Sequence, residues 1–336
     1  MHTLKLRNVP VESSVLGLGC MGMSEFYGAR DDAQSQRTLD RAFELGITHY
    51  DTSNVYGRGH NEQPLSRFIK DKRDRIVLAS KFGVRRDPNG PEGSTYDREI
   101  DNSPQYMRQC CEESLRRLET DRIDLYYIHR TDPKVPIEDT IGAMAKLIEE
   151  GKIRTIGLSE VNTEQLRRAH AVHPIAALQS EYSLWTREPE RDVLPLCKLL
   201  GVAFVAYSPL GRGFLTGAIQ QASELAKDDF RLTSPRFQGD NFERNRNLIE
   251  KVQEFCAAKR CTAGQVALAW LLSRDQDIIP IPGTKRIKYL EENVAATGLN
   301  LTQQDLEQLE SVLPPGAAAG ARYESNFGGV PKPPSA

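Results

Sequence analysis

The chain alternates between short apolar runs of strand length and longer stretches whose apolar residues recur with helical spacing. The strand-like runs number eight and span residues 15–20, 49–53, 76–81, 123–129, 154–159, 177–183, 203–209 and 278–283. The amphipathic stretches between them include residues 33–45, 104–118, 138–150, 163–170 and 244–260. This alternation is typical of a parallel sheet covered by helices. Eight such units in 336 residues predict the α/β class and a closed (β/α)₈ TIM barrel.

Three segments depart from the alternation. Residues 3–11 alternate like a small N-terminal β-hairpin, and residues 314–336 form a tail rich in Pro, Gly and Ala that we expect to be irregular. Residues 210–242 are rich in Gly, Ser and Pro, and a loop of this length is usually functional or disordered. We expect it on the C-terminal face of the barrel. Since no linker divides the chain, residues 1–336 are predicted to form a single domain.

A glycine motif near the N-terminus resembles a dinucleotide fingerprint. Gly17, Gly19 and Gly22 have the spacing GxGxxG. A Rossmann site needs a helix that begins directly after the glycines, with its N-terminus on the pyrophosphate. Here residues 23–30 have a loop-like pattern and the next helix begins near Asp31. The glycines are therefore interpreted as shaping a tight loop at the end of the first strand.

Composition limits the class of partner. The chain has 44 basic and 46 acidic residues, a formal charge of −2, which gives no reason to expect a nucleic acid or an anionic membrane. No apolar run is long enough to span a bilayer, and the first ten residues lack the apolar segment of a signal peptide. The six cysteines show neither metal-ligand spacing nor a CxxC pair. We therefore expect a cytoplasmic protein without a metal site.

Polar residues mark the ends of several predicted strands. Asp51, Lys81 and His129 end three consecutive strands, and Ser159 and Ser208 end two later ones. In a (β/α)₈ barrel the C-terminal strand ends meet at one face, which carries the active site. One polar residue at a strand end is usually a solvated side chain. An acid, a lysine and a histidine from consecutive strands together predict a functional cluster.

The chemistry of this cluster suits protonation of an oxygen. Asp51 and Lys81 would form a partly buried ion pair on adjacent strands, with Tyr56 in the loop just beyond Asp51. A tyrosine pKa near 10 makes a poor proton donor at neutral pH, but a neighbouring ammonium lowers it. His129 could hold a carbonyl oxygen in line with the phenol. Since none of these groups supplies electrons, reduction requires a hydride cofactor.

These residues lie in motifs that match a known family. The motifs are DTSNVYG at residues 51–57, SKFG at 80–83, YIHR at 127–130, IGLSE at 156–160, LQSEY at 178–182, YSPLGRG at 207–213 and IPGTKR at 281–286, followed by Glu292 and Asn293. From about residue 4 to residue 313 the chain resembles an aldo-keto reductase. Within that family it is most similar to the branch of plant alkaloid-aldehyde reductases, YakC-like proteins and bacterial reductases.

The resemblance implies a role for each matching residue. Tyr56 would be the proton donor, Lys81 would lower its pKa, Asp51 would pair with Lys81, and His129 would orient the carbonyl. The implied cofactor is NADPH (NADP), with Ser159, Glu160 and Gln179 near the nicotinamide carboxamide and Tyr207 stacked on its ring. The other implied cofactor contacts are Asp51, Ser208, Pro209, Leu210, Gly211, Ile281, Gly283, Thr284, Lys285, Arg286, Glu292 and Asn293.

Two departures from the family pattern concern the cofactor. Many members carry Asn where this chain has Glu160, and other branches carry Arg where Tyr289 stands. Lys285 and Arg286 remain as candidates for the 2′-phosphate of NADPH, because they begin the last barrel helix, where cations and helix amides both favour phosphate. The expected substrate is a small carbonyl compound. The predicted pocket walls are Phe26, Tyr27, Phe82, His129, Arg130, Trp185, Phe214 and the tail around Phe327.

Two other functions stay open at this point. Some barrels of this family resemble potassium-channel accessory subunits, which bind nucleotide and dock on a partner. An isomerase barrel that handles phosphate would work without nicotinamide. Measured turnover of NADPH on a panel of carbonyls separates the three.

Overall fold

The computed structural model describes residues 1–6, 12–86, 99–226, 229–275 and 277–323. Part of the predicted hairpin and the end of the tail, with Phe327, lie outside these residues. The strands are β1 (Thr3–Lys5), β2 (Glu12–Ser14), β3 (Leu18–Gly19), β4 (His49–Asp51), β5 (Val77–Phe82), β6 (Val84–Arg85), β7 (Glu99–Ile100), β8 (Ile123–Ile128), β9 (Ile153–Ser159), β10 (Ile175–Glu181), β11 (Ala203–Tyr207) and β12 (Ile278–Pro280).

The helices follow the strands as the periodicity predicts. They are α1 (Asp32–Glu44), α2 (Glu62–Ile69), α3 (Pro104–Leu118), α4 (Ile137–Glu149), α5 (Thr163–Val172), α6 (Val193–Leu200), α7 (Gly239–Lys259), α8 (Ala263–Arg274), α9 (Ile287–Ala295) and α10 (Gln303–Val312). Side-chain caps explain where several helices begin. The side chains of Asn162, Thr262 and Thr302 each accept a hydrogen bond from the backbone N–H of the third residue of the helix that follows. No helix among the described residues is both long and apolar enough to cross a membrane.

Eight parallel strands form the barrel predicted from the sequence. Their order in the sheet is β12-β11-β10-β9-β8-β5-β4-β3. A parallel bridge between Gly19 and Gly283, and a hydrogen bond from the Gly17 N–H to the Pro280 carbonyl at 2.9 Å, join the first strand to the last. A Cβ on Gly19 would lie 2.9 Å from the Ile281 carbonyl oxygen. Glycine is therefore needed there for the barrel to close.

The same segment settles the role of the GxGxxG spacing. After β3 the chain makes a short 3₁₀ turn at Met21–Met23, and α1 begins only at Asp32. No α-helix therefore begins directly after the glycines, as the sequence predicted.

Side chains alternate between the inside of the barrel and the layer between barrel and helices. Along β5, Val77 and Ala79 belong to the small interior cluster, while Leu78 and Phe82 belong to the large outer core. Leu6 also belongs to the interior cluster and contacts the barrel at its N-terminal end, next to the antiparallel hairpin β1–β2. Leu6 thus covers part of the N-terminal end of the barrel interior.

The long loop after β11 is partly ordered into 3₁₀ turns, at Gly211–Thr216, Ala222–Glu224, Phe230–Thr233 and Pro235–Phe237. Helix α7 begins at Gly239, so the loop is a few residues shorter than predicted. Beyond α10 the described part of the tail forms no helix or strand, and its residues 317–323 return to the barrel mouth. We call residues 317–323 the C-terminal arm.

Candidate active site

The centre of the mouth is an ion pair between β4 and β5. The Lys81 ammonium donates to an Asp51 carboxylate oxygen, to the Thr52 carbonyl at 2.9 Å and to the Tyr56 hydroxyl at 3.2 Å. Lys81 is fully buried and Asp51 is 3% exposed. The pairing follows from register, because His49, Tyr50 and Asp51 run beside Val77, Leu78 and Ala79. The two strand ends therefore place the acid beside the lysine.

Tyr56 and His129 complete the predicted cluster. Tyr56 begins a 3₁₀ turn just beyond β4, and its ring meets the His129 ring edge-on, with centroids 5.7 Å apart and planes at 86°. His129 follows β8, where its N–H donates to the Phe82 carbonyl at 2.7 Å. Its Nδ1 lies 3.4 Å from the Ser53 hydroxyl. The structure thus brings all four predicted catalytic side chains together.

Opposing effects set the protonation of this cluster. Burial lowers the pKa of Lys81, but the Asp51 carboxylate and the Tyr56 hydroxyl outweigh it, so the pKa lies above its ordinary value. Burial raises the pKa of Tyr56, and the Lys81 ammonium acts in the opposite direction without cancelling it. The contribution of Lys81 has the predicted sign. The phenol is nevertheless a neutral donor held next to a cation.

The predicted carboxamide contacts lie on the neighbouring strands β9 and β10, where Ser159 pairs in register with Gln179. The Gln179 amide donates to the second Asp51 oxygen at 2.8 Å, so it belongs to the same hydrogen-bond network as Lys81. The Ser159 hydroxyl accepts from Arg130 at 3.2 Å. Both side chains are therefore at the mouth and already engaged with residues of the site.

Glu160, the residue that departs from the family pattern, has two partners. One carboxylate oxygen accepts from the Glu181 N–H at 3.0 Å and the other accepts from Arg322 at 2.8 Å. Burial raises the pKa of Glu160, but Arg322 and Arg130 outweigh it and leave the pKa below its ordinary value. The carboxylate therefore binds the C-terminal arm, a contact that the sequence did not predict.

Glu181 forms ion pairs with three arginines that were not predicted as site residues. Its carboxylate lies 3.0 Å from Arg212, 3.6 Å from Arg236 and 3.5 Å from Arg322. Burial raises the pKa of Glu181, yet the guanidinium groups lower it to about 2. We call Glu160, Glu181, Arg212, Arg236 and Arg322 the arginine cluster. Only Arg212 lies in a motif, so the other two arginines carried no signal in the sequence.

The segment after β11 turns sharply at the predicted cofactor contacts Ser208, Pro209, Leu210 and Gly211. Ser208 and Gly211 both have positive φ, 49° and 56°. A Cβ on Gly211 would lie 2.8 Å from the Trp185 ring, so only glycine fits this turn. Tyr207 presents its hydroxyl to Tyr323 of the C-terminal arm at 3.1 Å. The turn thus runs directly beside the arm.

The N-terminus of α9 supplies the predicted phosphate end of the site. Gly283, Thr284 and Arg286 lead into this helix, whose first amides have no side-chain cap. Arg286 is exposed, whereas the Lys285 ammonium donates to the carbonyls of Tyr27, Gly28 and Ala29 at 3.0, 3.3 and 2.6 Å. An exposed cation beside uncapped helix amides suits a phosphate group. Arg286 is thus the cation available there, while Lys285 holds the loop after β3.

The remaining predicted cofactor contacts lie in the same region. The Glu292 carboxylate accepts from the Thr262 hydroxyl at 2.7 Å, and Asn293 is buried in α9. Ile281 is buried and belongs to the interior cluster where the last strand meets the first.

The structure places three predicted pocket walls in the packed core. Phe82 is fully buried and stacks on Tyr126 in the outer core, with centroids 5.2 Å apart. The pleat explains this, because Phe82 follows the inward-facing Lys81 and must point outward. Trp185 and Phe214 are 4% and 2% exposed and pack on each other in the same core. Their rings support the turn at Gly211 rather than line an open pocket.

The other predicted walls surround the mouth. Tyr27 is half-buried beneath the Arg231 guanidinium, which lies 5.2 Å from its ring centroid. Phe26 meets Phe230 of the long loop with centroids 5.5 Å apart. Arg130 is half-buried beside His129 and Ser159. The loop after β3 and the loop after β11 therefore meet over the C-terminal face.

Comparison with known proteins agrees with this architecture. Residues 15–314 match the model of the Aldo/keto reductase family. The chain is 43% identical over 327 residues to "Probable aldo-keto reductase 1" of Glycine max, covering 96% of this chain and 92% of the soybean protein.

Solved structures show the same fold. Glycerol dehydrogenase AKR11B4 from Gluconobacter oxydans superimposes with a TM-score of 0.84 at 29% identity, covering 93% of this chain and 94% of that one. An aldo-keto reductase from Klebsiella pneumoniae, solved in complex with NADPH, gives a TM-score of 0.73 at 28% identity, with 94% and 96% covered. From the family match, the barrel and the clustered mouth residues together, this chain belongs to the aldo/keto reductase family of oxidoreductases.

Proposed function

We propose that this protein is an NADPH-dependent reductase of aldehydes or ketones in which Tyr56 is the general acid. The observation that carries the proposal is the Tyr56 hydroxyl, held 3.2 Å from the Lys81 ammonium and beside the His129 ring at the mouth of the barrel. A relative solved with NADPH supports the choice of cofactor.

Each residue of the cluster has a separate task. The nicotinamide of NADPH, when bound, would provide the hydride needed to reduce the carbonyl carbon. Tyr56 donates its proton to the carbonyl oxygen, and Lys81 stabilises the phenolate that this leaves behind. Asp51 keeps Lys81 protonated and fixes its position through the buried ion pair. His129 orients the carbonyl toward the Tyr56 hydroxyl.

Burial suits Tyr56 to this task. A raised pKa keeps the hydroxyl protonated at neutral pH, so the donor is in its active form before the substrate binds. The Lys81 cation then limits the cost of forming the phenolate. The ion pair with Asp51 keeps the cation in place, because an ammonium buried without a partner would tend to lose its proton.

For the cofactor we propose the contacts inferred from the resemblance, with two refinements. Ser159 and Gln179 bind the carboxamide and Tyr207 stacks on the ring, while Gln179 also keeps its bond to Asp51. Arg286 binds the 2′-phosphate, since it is exposed at the start of α9. Lys285 positions the loop of residues 27–29 beneath the cofactor.

The wider predictions are part of the same proposal. We propose that residues 1–336 act as a single domain, in the cytoplasm, on a small carbonyl compound and without nucleic acid. All six cysteines are free thiols, five of them buried, which is compatible with a reducing compartment.

The test is the hydroxyl deletion Tyr56→Phe, assayed by loss of NADPH absorbance with para-nitrobenzaldehyde. We expect turnover to fall by roughly 10²- to 10⁴-fold, the usual contribution of a general acid. The affinity for NADPH, measured by fluorescence titration, should stay within about twofold of wild type, because the ring remains in place.

The matched control is Tyr106→Phe, which removes a tyrosine hydroxyl from α3, in the helical layer. It should leave turnover unchanged. If the Tyr56→Phe variant turned over at the wild-type rate, Tyr56 would be excluded as the acid. Tight NADPH binding by wild type with no reduction across a broad carbonyl panel would instead favour a nucleotide-binding accessory protein.

A further inference from the structure

Arg130 stands beside the reacting groups and has no carboxylate in direct contact within the described part of the chain. It follows His129 at the end of β8, and one guanidinium nitrogen donates to the His129 carbonyl at 2.6 Å and to the Ser159 hydroxyl at 3.2 Å. Among the described residues no carboxylate lies within 4.0 Å of it, and its other nitrogens have no hydrogen-bond partner. The fork of the guanidinium is therefore open to a ligand.

The other arginines at the mouth differ from Arg130 in this respect. Arg212 and Arg236 contact Glu181, and Arg322 contacts both Glu160 and Glu181. With Arg130 included, four guanidinium groups share two carboxylates. Burial lowers the pKa of Arg130 and Glu160 is near enough to raise it, but no carboxylate that the structure describes forms a direct ion pair with Arg130. Two negative charges therefore serve four guanidinium groups that are partly or fully buried. This side of the pocket consequently lacks negative charge, which an anionic ligand would supply.

Arg130 is close enough to the reacting groups to affect them. Its charge lowers the pKa of Tyr56 and that of Tyr207, against the burial that raises both. Its hydrogen bonds place it directly beside His129, which is proposed to orient the carbonyl, and Ser159, which is proposed to bind the carboxamide. A group held by Arg130 would belong to the molecule whose carbonyl faces Tyr56.

We propose that Arg130 binds an anionic group of the substrate, so that the preferred substrates are aldehydes or ketones that also carry a carboxylate. The inference rests on the proposed function and names its substrate class. Guanidinium and carboxylate match in plane and can form two parallel hydrogen bonds. Arg322 adds to the positive potential around this group while it keeps its ion pairs with Glu160 and Glu181.

The competing role for Arg130 is in cofactor binding, because Ser159, its hydrogen-bond partner, is proposed to bind the carboxamide. The two roles predict different losses when the charge is removed. A substrate contact affects the KM of acidic substrates alone. A cofactor contact affects the dissociation constant of NADPH and every substrate equally.

The experiment compares para-carboxybenzaldehyde with its methyl ester, which has the same reacting group and no charge. On wild type we expect the acid to have the higher kcat/KM. Arg130→Met should lower kcat/KM for the acid by roughly 10- to 100-fold, mainly through KM, since a charge-assisted hydrogen bond is lost. The ester and the dissociation constant of NADPH should change by less than about threefold, and Arg130→Lys should restore part of the loss.

Arg168→Met is the matched control, because it removes a guanidinium paired with Glu138 on the outer surface of α5. It should leave the ratio of acid to ester unchanged. Equal efficiency of wild type on acid and ester, or an equal loss on both in Arg130→Met, would overturn the inference. A wild type inactive on both compounds would count against the proposed reductase function instead.

Discussion

Two charged clusters share the barrel mouth and differ in how they are balanced. Asp51 and Lys81 are one acid and one cation on adjacent strands, both buried and joined directly. The arginine cluster has two acids, Glu160 and Glu181, against three arginines drawn from the long loop and the C-terminal arm. The first cluster is neutral and local, while the second is positive and assembled from distant segments.

The difference indicates a division of tasks. The neutral pair fixes the position of the proton donor Tyr56. Strands β4 and β5 leave the pair itself little freedom to move. The arginine cluster ties loop and arm to the ends of β9 and β10, so that the walls of the mouth depend on ion pairs. The neutral pair thus lies on the barrel strands, whereas the arginine cluster joins the strand ends to the loop and the arm.

The largest effect should come from unbalancing the neutral pair. Lys81→Met removes the cation beside Tyr56, and we expect turnover to fall by roughly 10²- to 10⁴-fold. It also leaves Asp51 buried without its partner, which should cost about 3–5 kcal/mol in the free energy of unfolding. Assays of NADPH oxidation and urea unfolding measure the two effects.

The double variant Lys81→Met with Asp51→Asn separates these effects. Removing both charges should restore most of the stability while activity stays low. If the double variant regained activity, Lys81 would be a structural partner of Asp51 and not a group that assists Tyr56.

Unbalancing the arginine cluster should affect stability more than chemistry. Glu181→Gln leaves three guanidinium groups facing a neutral amide, and we expect a loss of about 3–5 kcal/mol in the free energy of unfolding. Turnover at saturating substrate should fall by less than about tenfold. Glu164→Gln on the exposed face of α5 is the matched control and should leave the unfolding midpoint unchanged.

The same variant tests how the free energy of unfolding depends on pH. Because the folded pKa of Glu181 lies at about 2, below its ordinary value, its carboxylate stabilises the fold above the ordinary pKa. That contribution decreases as the pH falls from about 4.3 toward 2. Glu181→Gln should therefore lose stability less steeply over this window than wild type. Parallel slopes in urea titrations would show that Glu181 does not carry the acid sensitivity.

The smallest effect concerns the C-terminal arm alone. Gly320 has φ of +88°, and a Cβ there would lie 3.0 Å from the Pro235 carbonyl. Gly320→Ala should cost about 1 kcal/mol or slightly more and shift Arg322 away from Glu160. We expect KM to rise by a few-fold with kcat nearly unchanged.

Gly298→Ala provides the comparison, since a Cβ at Gly298 would have nothing within 4 Å. That variant should match wild type in KM and stability. Unaltered KM in Gly320→Ala, despite reduced stability, would show that the arm does not shape the substrate side of the mouth.

Much of the barrel follows from local pattern. Strand-length apolar runs and amphipathic stretches alternate in a way that only parallel strands with covering helices accommodate, and the structure has them in the predicted order. The side of the sheet that each strand residue faces also follows from the local sequence. The outward position of Phe82 could have been predicted from the inward position of Lys81, because neighbouring residues in a strand face opposite sides.

The barrel and the grouping of Asp51, Tyr56, Lys81 and His129 are predictable from the sequence, since strand ends meet at one face in any such barrel. The partners of Glu160, Glu181 and Lys285 are visible only in the folded structure. Those partners lie on loops and on the arm, whose paths depend on packing and not on periodicity. Arg322 reaches Glu160 across 162 residues of chain, and no local pattern encodes that contact.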